Sequence, residues 1–168
     1  MAPAYLYQAP AGFAGDITRT DETNVEPAKL VALASVYAQR FGEAMRYVAG
    51  GIQQFTTGLT AADFAGVLVR EVPSISGSTA QSFTDTVPNP DQVQGLAVRG
   101  YVAVKCTAGT PARGGIVYVR IVSATDRPIG AFEADSDGGN SVALSATQAE
   151  WASDGKDADG IAELRIAR

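Results

Sequence analysis

Two acidic stretches punctuated by glycine are the places where residue types in this chain could do chemistry. Asp135-Ser136-Asp137-Gly138-Gly139-Asn140 sets oxygen ligands at alternate positions, and Asp154 to Gly160 (DGKDADG) offers a second acidic loop of the kind that binds calcium. When Asp157, Asp159 and Gly160 take the third, fifth and sixth places of a calcium-binding helix-loop-helix, Gly155 falls first and Ile166 falls where the bidentate glutamate belongs. That alignment fails, and both stretches read as turns in which Asp and Gly supply left-handed conformations. Gly109 to Gly115 (GTPARGG) lacks the Lys-Ser ending of a phosphate loop and the glycine spacing of a dinucleotide turn, so it reads as a turn between strands.

The chain has no histidine, which removes Ser-His-Asp, Cys-His and His-metal chemistry together. Its single cysteine, Cys106, cannot form an internal disulfide and reads as a small core residue. No pair of carboxylates is singled out for glycosidic chemistry. An enzyme is therefore not expected: no catalytic residue, metal ligand or cofactor is assigned.

The elements behind these residues belong to a chain of 168 residues, one domain's worth. Eighteen glycines and eight prolines in a sequence that is 46% hydrophobic break the core-forming residues into short pieces, against a long helical bundle. Thirteen basic against eighteen acidic residues give net −5, opposite to the footprint of a nucleic-acid binder. The longest strongly apolar run, Leu30 to Ala38, is about half of a bilayer crossing, and MAPAYLYQAP lacks the basic start and apolar core of a signal peptide. The expectation is a soluble protein made in the cytoplasm of its producer, with neither nucleic acid nor membrane as partner.

Short strand-like runs follow one another at Ala44 to Ala49, Ile52 to Phe55, Phe64 to Val72, Ala97 to Cys106, Ile116 to Val122, Ala131 to Glu133 and Ile161 to Ala167. The fold expected is mainly β, a single β-barrel or β-sandwich-like domain over residues 25–168 with at most one or two short helices. Alternation puts Val102, Val104 and Cys106 on one face of a strand and Tyr101, Ala103 and Lys105 on the other. In the last strand Ala162, Leu164 and Ile166 face in, while Glu163 and Arg165 face out. Residues 27–40 suit either a short amphipathic helix or an extended segment. The stretch 73–89 is too polar for a core and reads as an exposed loop.

Residues 1–24 interleave Tyr5, Tyr7 and Phe13 with turn residues and carry no sustained periodicity. They read as an extended arm whose rings are buried either on the parent domain or by another chain.

Four stretches in the first half, Phe13 to Arg19, Val25 to Pro27, Phe41 to Tyr47 and Phe64 to Arg70, resemble tailed-bacteriophage structural cement, or capsid decoration, proteins. The likeness continues through Arg99 to Lys105, Gly109 to Arg120, Ile129 to Glu133 and Asn140 to Leu144. The resemblance implies a non-enzymatic virion protein on the outside of the assembled head, contacting neighbouring major capsid protein subunits and reinforcing the shell. It also implies an oligomer, often a trimer. Tyr5, Tyr7 and Phe13 are the anchors expected at the capsid or neighbouring-subunit interface, with Asp16 and Arg19 as polar pins beside them. The rival is a carbohydrate-binding β-module on the virion using Trp151 and the 73–89 loop.

Overall fold

The computed structural model describes residues 12–33, 39–70, 88 and 90–167. Tyr5, Tyr7, residues 34–38 of the ambiguous 27–40 stretch and all of the 73–89 loop except Pro88 lie outside them.

The described chain is built from ten strands: β1 (Asn24–Lys29), β2 (Ala44–Val48), β3 (Gly51–Gln54), β4 (Gly66–Leu68), β5 (Val93–Lys105), β6 (Tyr118–Arg120), β7 (Phe132–Glu133), β8 (Ser141–Ala143), β9 (Ala149–Trp151) and β10 (Ile161–Ile166). The helical elements among the described residues are three single 3-10 turns, Thr20–Glu22, Ala61–Asp63 and Gly138–Asn140. The front of the 27–40 stretch is strand. Pro27 is tolerated there because Leu30 N–H bonds toward β5, at Gln92 O, so alternation leaves Pro27 at a position pointing away from the ladder.

A large antiparallel sheet runs β3-β2-β4-β5-β10-β9, and β1 also pairs with β5. Leu30 bridges Ile52, and Val31 N–H donates to Ile52 O at 2.8 Å, so β1, β5, β4, β2 and β3 close into a circuit. Inside it lies an apolar cluster of Leu30, Phe41, Met45, Ile52, Ala65, Leu68 and Leu96. A three-stranded sheet, β7-β6-β8, covers the other side. Between the two layers sits the main core, with Phe55, Phe64, Val102, Val104, Val119, Phe132 and Trp151.

Successive residues therefore serve different cores. Ala44, Val67 and Ala97 enter the inter-sheet core, while their neighbours Met45, Leu68 and Leu96 enter the barrel. Strands buried on both faces lose the apolar-polar alternation. The mainly β expectation, with barrel and sandwich both in view, agrees with this architecture.

On β5 and the residue after it, Val102, Val104 and Cys106 are buried as the alternation predicts, Tyr101 is half-buried and Lys105 is exposed. Ala103, expected on the outer face, is fully buried. The chain at residues 15–16 lies against it, with Gly15 N–H donating to Ala103 O and Ala103 N–H to Asp16 O, each at 2.8 Å. On β10, Ala162, Leu164 and Ile166 are buried and Arg165 is exposed, as predicted. Cys106 is buried, and burial pushes its thiol up.

Candidate functional site

The first described residues form a tight turn held by its own side chain. Gly12 and Gly15 both have positive φ, Phe13 N–H donates to Asp16 Oδ2 at 2.8 Å, and Asp16 N–H returns a bond to Phe13 O at 3.0 Å. The turn is locked onto the domain by Gly15 O, which accepts from Arg70 N–H at 2.8 Å. Glycine is required on both sides of this contact. A Cβ on Gly42, whose φ is +75°, would stand 2.7 Å from both the Ala14 Cβ and the Gly15 N.

Phe13 is the exposed feature of this turn, with 56% of its surface open to solvent. The Arg70 guanidinium lies 5.6 Å from its ring centroid and 5.1 Å from that of Phe41, and Arg70 Nε stands 3.8 Å from Asp16 Oδ1. One cation thus holds an exposed ring, a buried ring and a carboxylate in a single arrangement. Asp16 positions the turn that presents Phe13, using one oxygen for the turn and the other toward Arg70.

Arg19 is placed differently. Its Nη2 and Nε donate to the two carboxylate oxygens of Glu163 at 2.9 and 3.2 Å, and its guanidinium lies 3.8 Å from the Tyr101 ring centroid. Thr18 Oγ1 adds a bond to the same carboxylate at 2.6 Å. Hydrogen bonding to Glu163 raises the guanidinium above its ordinary value. Further bonds from Thr18 N–H to Tyr101 O and from Tyr101 N–H to Thr23 Oγ1 fasten this end of the segment. The structure brings Phe13 and Asp16 together, sets Arg19 at the far end of the same segment, and describes neither Tyr5 nor Tyr7.

The scan for related families gives a match to the model described as structural cement protein (E217 gp24/Pam3 gp6), over residues 1–167. This chain belongs to the phage structural cement protein family. No curated protein matches the cement protein by sequence. Among solved structures, a chain from the capsid of Myoviridae phage XM1 superposes with a TM-score of 0.67 at 19% identity, over 100% of this chain and 98% of that one. At that identity the likeness is one of fold.

Arg70 and Phe41, which pack at the Phe13 turn, and Tyr101 and Glu163, which hold Arg19, escape sequence reasoning as site residues. The only signal for Arg70 is a lone cation closing the apolar run Phe64 to Val69, and nothing local pairs Arg19 with Glu163, 144 residues away. The acidic stretches are occupied in turns: Asp137 pairs with Arg120, Asp154 faces Arg113 at 3.8 Å, and Asp157 Oδ1 accepts from the N–H groups of Asp159 and Ile161. Among the described residues no three His, Cys, Asp or Glu side chains converge on a common point. Trp151 is a core residue, 1% exposed, its Nε1–H donating to Ile116 O at 3.1 Å, so it offers no platform to a sugar.

Proposed function

We propose that this cement protein binds the outer surface of the assembled phage head, made in the host cytoplasm and recruited to the virion. It contacts neighbouring major capsid protein subunits and stabilises the contacts between them, as a homo-oligomer with a trimer expected, and performs no catalytic step. The observation that carries this reading is the exposed Phe13 ring, held by Arg70 and Asp16 at the root of the aromatic residues 1–11.

A ring held in place before binding gains apolar burial at about 25 cal/mol per Å² with little left to lose in side-chain freedom. Tyr5 and Tyr7 extend the same apolar contact, Asp16 fixes the turn, and Arg19 ties the segment to β10 through Glu163. Repetition of one modest contact around a shell makes release depend on several contacts at once.

Co-sedimentation with undecorated, expanded heads, compared with the compact precursor shell, tests the reading. The expected result is saturable binding to expanded heads and a higher temperature of DNA release. Deletion of residues 1–11 spares every hydrogen bond described between residues 15–24 and β5, and is expected to abolish retention on heads while the β-domain stays folded. Full retention by that truncation removes Tyr5 and Tyr7 from the attachment surface and leaves it to Phe13 and the domain, and failure to bind either shell overturns the reading.

A further inference from the structure

Three buried polar side chains sit where the barrel meets the smaller sheet: Gln39, Glu43 and Gln54, each under 8% exposed. Gln54 Nε2 spends both hydrogens, one on Glu43 Oε2 and one on Ile129 O, at 2.5 and 2.6 Å. The Ile129 carbonyl fixes the orientation of the amide, because a flipped amide would set its oxygen against that oxygen. Glu43 Oε2 also accepts from Arg40 N–H at 3.0 Å, and Gln54 N–H donates to Gln39 Oε1 at 2.9 Å. Ala44 N–H donates to Gly130 O at 2.9 Å, completing the joint between β2, β3 and the loop before β7.

One atom in this joint is unaccounted for. Gln54 Oε1 is buried and has no hydrogen-bond donor among the described residues. A buried amide carbonyl without a donor costs roughly 1–3 kcal/mol. Among the described residues, the Glu43 carboxyl is already bonded to the nitrogen of the same amide and becomes a donor when it holds a proton. A carboxylic acid and a primary amide satisfy one another in a ring of two bonds, N–H to carbonyl oxygen and O–H to amide oxygen.

We propose that Glu43 is a carboxylic acid in the folded protein, its Oε1–H donated to Gln54 Oε1, and that loss of this proton loosens the joint between the barrel and the three-stranded sheet. The charges nearby support the neutral form. No ion pair among the described residues involves Glu43. Arg40, on the same segment, favours the carboxylate, but burial outweighs it and pushes the Glu43 carboxyl up to about 8. The other cations close in the fold are engaged elsewhere: Arg46 with Gln53, Arg70 with Asp16, and Arg127 with Glu133 and Asp137. Loss of the proton leaves two acceptors facing each other in a site without water's dielectric.

A carbon-detected NMR titration of the side-chain carboxyls in the full chain tests this directly. Glu43 is expected to titrate near pH 8, with hydrogen-exchange protection at the Ala44 amide falling over the same range. Glu43→Gln, whose amide N–H replaces the acid proton toward Gln54 Oε1, is expected to remove that pH dependence. The ratio of unfolding constants, wild type over Glu43→Gln, should rise roughly tenfold per pH unit from the ordinary glutamate range up to the shifted midpoint and then level off. A Glu43 carboxyl that titrates in the ordinary range overturns the proposal whether or not the variant folds, and so does a wild type whose stability runs parallel to that of Glu43→Gln.

Discussion

Two polar clusters are buried where the layers of this protein meet, and they solve the same problem with opposite chemistry. The Gln39–Glu43–Gln54 joint has neutral donors and, among the described residues, no ion pair. In the smaller sheet, Glu133 Oε1 accepts from Arg120 at 3.3 Å and from Arg127 at 2.9 Å, and Arg120 and Arg127 both reach Asp137. Arg120 Nε also donates to Val122 O at 2.6 Å. A carboxyl can be buried beside an amide if it keeps its proton, or beside two guanidiniums if it gives it up. The first solution weakens as pH rises, and the second weakens as pH falls through Asp137, whose carboxyl Arg120 and Arg127 hold below its ordinary value.

The largest effect that would break this contrast comes from Arg120→Ala. It leaves Glu133, which is fully buried, short of a partner, and is expected to cost about 3–5 kcal/mol in chemical denaturation. Glutamine at the two buried glutamates separates them next. Glu133→Gln removes a charge on which two arginines depend and should destabilise by roughly 1–3 kcal/mol at neutral pH, whereas Glu43→Gln should leave stability above pH 8 equal to or higher than that of the wild type. Equal losses from both substitutions would show that the clusters share one chemistry.

The pH profile sharpens the comparison from the other side. Hydrogen bonding to Arg120 holds the Asp137 carboxyl below its ordinary value of 3.8. Its contribution is therefore present above that ordinary value and is lost as pH falls through the lowered one. Thermal midpoints should fall at the acid end through Asp137 of the Arg120 cluster and should decline from the ordinary glutamate range up to about pH 8 through Glu43, and Glu43→Gln should remove that second decline alone. The smallest change in stability is expected from Phe13→Ala, within about 0.5 kcal/mol because the ring is exposed. Its effect should fall on retention by expanded heads, read by co-sedimentation, and a variant retained as well as wild type would remove Phe13 from the interface.

Much of this fold is legible in the chain because its strands are short and its turns are marked. Ala44–Val48 and Ile161–Ile166 fall within the expected β-rich runs, Gly51–Gln54 is offset by one residue from Ile52 to Phe55, and Val93–Lys105 begins four residues before the run Ala97 to Cys106. Asn24–Lys29 is less legible, since Pro27 suits a helix start as well as a strand with an unpaired side. Ser141–Ala143 and Ala149–Trp151 are three residues each, too short to show a period. The burial of Ala103 depends on a segment almost 90 residues earlier in the chain, which no local pattern reports. Of the candidate site, the exposed aromatic Phe13 and the turn-forming Asp16 could be read from residue type. Their holder, Arg70, is brought to them by β4 and the Gly15–Gly42 contact, and the tie between Arg19 and Glu163 exists only once β10 lies beside β5.

The antiparallel run of residues 15–29 along β5 also defines a load path. Tension applied at Gly12 along the strand direction meets the bonds of Gly15, Asp16 and Thr18 to β5 and then the β1 ladder, all strained together in shear. The same bonds would open one after another under a pull across the sheet. β5 in turn passes the force to β4 and β10, so a tug on the amino-terminal end is distributed through the large sheet instead of being concentrated at one turn.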